Sequence, residues 1–252
     1  MDRVLVRLGG RWTPGVRLVT GLFAVSLVLG HVPGLAGPVR AHLVLVPSQA
    51  LGPQPWQLLT GPLLLLGPSP LLGLLQLVFL GLLLHSIGSA LEQRLGTGRF
   101  LRLCGAASLL AAVAAAAVGR PFALLRDVPV HLDGEPVFLV LLAAFAQQMG
   151  HERVSFWGMG QPVSARALST FFLVLILGMH FVQGRWPDLA AGVAAAAVGL
   201  SAGPGGPRAT LDALRKRLQS WRLRRARRRY KVLDGGLWVP PGRRPGQDRW
   251  VN

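Results

Sequence analysis

The sequence predicts an all-α polytopic membrane protein, with six transmembrane helices followed by a basic tail. Three observations predict it. Of the 252 residues, 51% are hydrophobic, and they gather in long runs that carry almost no charge. A bilayer core offers no water to backbone N–H and C=O groups, so such runs must form helices that cross about 30 Å of hydrocarbon. Second, the charges are confined to the ends and to short connectors. Third, the net charge of +17 is uneven, because residues 208–252 hold 14 Lys and Arg against three acids. A water-soluble domain of this size does not segregate its charge this way. The expected division is a bundle over residues 1–206 and a cytoplasmic tail over 207–252.

The elements follow in order. Residues 1–17 carry Arg3, Arg7, Arg11 and Arg17 and show no convincing small-residue cleavage site. The apolar run behind them is too long for a signal core, so a retained anchor is expected. The first span covers residues 18–35, and Pro33 and Pro38 end it. Residues 37–70 hold Pro47, Pro53, Pro55, Pro62, Pro68 and Pro70, too many for one long helix. An interfacial segment is expected there, with Trp56 at head-group depth.

The second span is 71–91, interrupted by Gln76, His85 and Ser86. The third, 100–119, is rich in alanine, and 120–131 is a connector. The fourth, 137–149, is short and is entered through Leu132-Asp133-Gly134-Glu135-Pro136. A polar connector with Trp157 as an interface anchor leads to the fifth span, 167–182. The sixth runs over 187–202, and Gly203-Pro204-Gly205-Gly206-Pro207 stops it. Within it Ala191 and Ala195 stand at small-x-x-x-small spacing, with Gly192 and Gly199 nearby, which permits close helix approach.

With both ends inside, 23 Lys and Arg lie on the inner side and four on the outer, or nine against four without the tail. That asymmetry predicts an integral protein of the inner (cytoplasmic) membrane with both termini in the cytoplasm. In the tail, Thr210 can cap a helix with Asp212 in its first turn. Leu211, Leu214, Leu218 and Trp221 recur three or four apart among arginines, which suits an anionic lipid surface. Nucleic acid ranks well behind lipid as the partner of this segment. Beyond Leu233 the composition of Gly, Pro and Arg predicts little fixed structure. Cys104 is the single cysteine, so no intramolecular disulfide forms.

Chemistry gathers at the mouth of the fourth span. A carboxylate at the edge of lipid is costly and usually faces a protein interior or a wet cavity. No serine occurs from Leu109 to Val154. His85, Ser86 and His180 also lie in spans. A serine–histidine pair between helices is conceivable, but bonds to neighbouring backbone or helix are the favoured reading.

Three pieces now line up: Gln54-Pro55-Trp56-Gln57-Leu58-Leu59-Thr60 between spans one and two, Gly88-Ser89-Ala90-Leu91-Glu92 with Gly96 and Arg99-Phe100, and Leu141-Leu142-Ala143-Ala144-Phe145-Ala146. Together with six spans and an embedded first loop, they resemble the rhomboid family of intramembrane serine proteases. The resemblance covers about residues 18–202. The segment from Tyr230 to Gly236 and the final Arg249-Trp250-Val251-Asn252 are similar to the tails of some bacterial rhomboids.

The resemblance implies a nucleophilic serine at the start of span four, a histidine base in span six and an oxyanion pair in span two. The corresponding positions here hold Glu135, Asp188, and Gln76 with Leu80. Asn252 is the sole asparagine and no histidine follows His180, so no shift of register restores the dyad. The resemblance therefore implies a pseudoprotease that binds transmembrane segments of client proteins, without catalytic residues, metal or cofactor. Glu135, Asp188 and Gln76 become candidate cavity residues. Glu135 and Asp188 would face each other. They either share a proton or, the favoured reading, stand separately solvated in a wet vestibule. Two alternatives stay open: an active peptidase with an unrecognised nucleophile, and a small transporter or ion-binding module built on Glu135 and Asp188.

Overall fold

The computed structural model describes residues 11–66, 69–122, 124–154 and 163–203, the pair Leu5–Val6, and positions 212, 216 and 219–221. The chain divides into a unit Met1–Pro207 and a unit Arg208–Asn252. The described positions of the second unit are helical. The expectations placed on Arg3, Arg7, Trp157, Thr210, Leu211, Leu214 and Leu218 lie outside the described residues.

The first unit is mostly helical. Its helices are α1 (Pro14–His31), α2 (Ala36–Leu43), α3 (Pro47–Ala50), α4 (Gln57–Thr60), α5 (Pro70–Leu83), α6 (Ser89–Leu95), α7 (Thr97–Gly119), α8 (Glu135–Gln148), α9 (Ala165–Val182) and α10 (Trp186–Ser201). A π-turn, Leu84–Gly88, joins α5 to α6. Four stretches are long and apolar enough to cross a membrane by length and composition: Pro14–His31, Pro70–Leu95, Thr97–Gly119 and Ala165–Val182. They point to an integral membrane protein. The apolar helices α8 and α10 are shorter.

Strict all-α structure is corrected in one respect. Leu5–Val6 pairs parallel with Arg153–Val154, which pairs antiparallel with Val163–Ser164. Arg153–Val154 and Val163–Ser164 lie in the stretch predicted as a polar connector, and Leu5–Val6 in the expected N-terminal anchor.

The first span begins at Pro14, four residues before the expected start. Glu92, on α6, supplies the reason. Its carboxylate accepts the N–H groups of Gly15 and Val16, each at 2.9 Å, and the hydroxyls of Thr13 and Thr97. The first N–H groups of a helix have no partner within it, and this acid, only 3% exposed, satisfies two of them from another helix. Between α1 and α5 the dense prolines break the chain into short helices, as expected. Gln57, fully buried, locks them. Its side chain accepts from Val46 N–H at 3.0 Å and donates to Gln54 and Gln49. The Trp56 indole N–H donates to the His42 carbonyl at 2.9 Å, so its polar edge is spent on protein.

At the centre stands α8, in which every residue from Pro136 to Ala146 is buried. It is surrounded by protein, so its 14 residues need not match a bilayer. Helix α10 packs against both α7 and α8. The facing residues are small: Ala107, Ala111 and Ala115 on α7, Ala191 and Ala195 on α10, all buried. At Gly199 the backbones come so close that a Cβ would stand 2.4 Å from the Val140 carbonyl oxygen. On the opposite side α9 packs chiefly on α8 and buries only Ala165, Leu168, Ser169 and His180.

Candidate functional site

The site begins with a sharp turn ahead of α8. Asp133 has φ 42° and Gly134 φ 74°, two left-handed residues in succession. Asp is among the few non-glycine residues that tolerate this region, through local side-chain bonding. Gly134 is required twice over, because a Cβ there would come within 2.9 Å of the Phe23 ring and 3.0 Å of Leu80 Cδ2. The turn closes with Glu135 N–H donating to the Leu132 carbonyl at 2.8 Å. Two partners then hold Asp133: Leu66 N–H donates to Oδ1 at 3.1 Å, and Gln76 Nε2 donates to the backbone carbonyl at 3.0 Å. Burial pushes the Asp133 carboxyl above its ordinary pKa, and the Leu66 bond counters this in part.

This turn is the floor of a cavity of about 410 Å³. Helix α5 contributes Gln76, Phe79 and Leu80, and α9 contributes Ile176, Met179 and His180. Asp133, Glu135 and Arg185 add charged groups, and His131 adds an imidazole. Among the described residues, none that lines the cavity bears a hydroxyl or a thiol.

Three of the four sequence-predicted positions therefore meet. Gln76, Leu80 and Glu135 all line the cavity. Asp188 does not. It sits 8% exposed in the first turn of α10, where Oδ2 accepts from Arg185 Nε at 2.8 Å. Each carboxylate has its own basic partner, and for Glu135 this is His180, whose Nε2 stands 2.5 Å from Oε1.

His180 follows the favoured reading of a bond to a neighbouring helix, since its partner Glu135 lies on α8. A signal was present. Adjacent antiparallel helices bring the end of one level with the start of the next, and His180 ends α9 as Glu135 starts α8. Arg185 was missed as a site residue because its role depends on the tight turn at Gly184, φ 68°. Ser86 follows the favoured reading, its hydroxyl donating to the Leu83 carbonyl at 3.3 Å. His85, within the π-turn, stacks on Trp12 at a centroid distance of 4.8 Å. It takes no part in the cavity. Among the described residues no three of His, Cys, Asp and Glu converge to hold a metal ion.

Helical fold and cavity together define an integral membrane protein with a charged pocket at the end of a buried helix. No family model, curated protein or solved structure matches the chain.

Proposed function

We propose that this chain is a rhomboid-like pseudoprotease that holds transmembrane segments of client proteins without cutting them. In this reading α8 and α10 complete six spans in the rhomboid arrangement. Both termini are cytoplasmic in the inner membrane, and the basic tail lies on anionic lipid.

One observation carries the reading. The cavity sits at the N-terminus of the central helix, where the resembled enzymes keep their nucleophile, and among the described residues its lining offers carboxylate, imidazole and guanidinium but no hydroxyl or thiol. Acyl transfer by a covalent intermediate needs an activated nucleophile beside its base. The cavity walls on α5 and α9 continue into large exposed apolar side chains, among them Val78, Phe79 and Leu82 on one and Val174, Leu175 and Met179 on the other. A client helix in the bilayer would meet these first.

A second reading is favoured by the Glu135–His180 contact: a carboxylate beside an imidazole can activate water. One experiment separates the two. The chain is reconstituted with a transmembrane substrate that rhomboid proteases accept. Recovery of intact substrate bound to the chain, with no labelling by a fluorophosphonate probe, is expected. Cleavage that is lost in Glu135→Ala would overturn the pseudoprotease reading and support the hydrolase.

A further inference from the structure

The first turns of α1 and α7 meet at one carboxylate. Glu92 accepts from Gly15 and Val16 at the start of α1 and from Thr97 at the start of α7. Both helices therefore begin at the same level. Arg11 and Arg17 flank the start of α1, and Arg99 and Arg102 lie in the first two turns of α7, all exposed. Glu92 is buried and spent on the bonds above, and Glu152 pairs with Arg94. Among the described residues none of the four exposed arginines forms an ion pair. Arg102 Nε donates to the Gly98 carbonyl at 3.2 Å, and its other N–H groups bond none of the described residues.

Beside these arginines a groove of about 200 Å³ runs between the two helices. Leu18 and Leu22 line it from α1, and Leu101, Gly105 and Leu109 from α7. Apart from the Cys104 thiol and the Ser108 hydroxyl, the described lining is hydrocarbon. Leu18, Leu22 and Leu109 are exposed, so the groove opens outward, and a Cβ at Gly105 would meet nothing within 4 Å. The wall from Leu101 to Leu109 is about 12 Å long. Spread over that length, about 200 Å³ is too slender for another helix, roughly 10 Å across, and suits a single hydrocarbon chain. Arg102 follows Leu101 and lies within one turn of Gly105, so it stands on the rim.

We infer that this groove seats one acyl chain of an anionic phospholipid, whose phosphate meets Arg102 and the neighbouring arginines. Basic residues at the mouth of a pocket between membrane helices recognise anionic head groups, and a guanidinium fork matches phosphate oxygens. A zwitterionic lipid brings its own cation to the same arginines and is disfavoured. The chain fixes the head, and the head fixes the chain.

The test uses the full chain in phosphatidylcholine nanodiscs with a trace of phosphatidylglycerol that carries a diazirine in one acyl chain. A phosphatidylcholine probe with the same chain is the control. Adducts formed on illumination are mapped by peptide mass spectrometry. The phosphatidylglycerol probe is expected to label residues 18–22 and 101–109 at least about fivefold more than the control, the effect of one arginine near an anionic head. Gly105→Trp fills the groove and should remove most of that labelling, and Arg102→Gln should narrow the difference between the probes. Added inorganic phosphate should change neither. Should Gly105→Trp fail to fold, the two-probe comparison on the native chain still decides. Equal labelling by the two probes, or labelling no denser there than at the exposed Val174 of α9, would overturn the inference. So would displacement by inorganic phosphate, which marks an anion site without a chain, or labelling undiminished in Gly105→Trp, which puts the lipid on another basic surface.

Discussion

Two sides of the central helix α8 are built on opposite rules. On one side α7 and α10 press against it with alanine and glycine, close enough that backbone meets backbone at Gly199. On the other, α5 and α9 leave a cavity of about 410 Å³ and turn large apolar side chains outward. Within a bilayer, apolar burial against protein gains little over burial in lipid, so tight packing of small residues is what holds helices together. The tight side is thus the scaffold. The loose side is where α5 and α9 leave the cavity open, and in the proposed reading it admits another helix beside the cavity's polar groups.

Substitutions that exchange the two rules test this contrast. Gly199→Ala should cost most, about 3 kcal/mol, because its Cβ collides with the Val140 carbonyl and not with a movable side-chain tip. The readout is thermal denaturation in detergent, with a large fall in Tm expected. His180→Ala should cost less, about 1.5 kcal/mol, as Glu135 loses its bond, while client binding falls further than stability does. On the loose side Gly178→Ala meets nothing within 4 Å. It should stabilise α9 by about 0.5–1 kcal/mol, and a loss equal to that at Gly199 would erase the distinction between the two sides.

The smallest effect belongs to Asp133→Asn. The folded carboxyl has a raised pKa, so the folded state binds its proton more readily than the unfolded chain does. Its ionised form therefore weakens the fold above the raised pKa, and that penalty vanishes below the unfolded value. The amide keeps an acceptor for Leu66 and tolerates positive φ. Denaturation across pH should show a slight gain for the variant at neutral pH that fades on acidification.

Sequence made the scaffold side readable because it is a matter of period and residue size. Ala191, Ala195 and Gly199 advertise close approach by spacing alone, and the acid at Glu135 marks the mouth of α8. The cavity side was only half legible. Gln76 and Leu80 were placed by register against Glu92 and line the cavity, whereas Asp188 lies outside its lining and bonds Arg185 three residues earlier. Nor does any local pattern announce that Glu92 caps a helix 77 residues before it. Such contacts depend on how helices are stacked, which hydrophobic periodicity leaves open.

The most direct measurement replaces Phe79 or Met179 with a photo-crosslinking amino acid and illuminates the reconstituted chain with a transmembrane client, followed by intact-mass spectrometry. A docking site without a nucleophile predicts a crosslinked adduct that carries the client at full mass. Client fragments in the adduct or the supernatant, or crosslinks no more frequent there than from the lipid-facing Leu71, would contradict it.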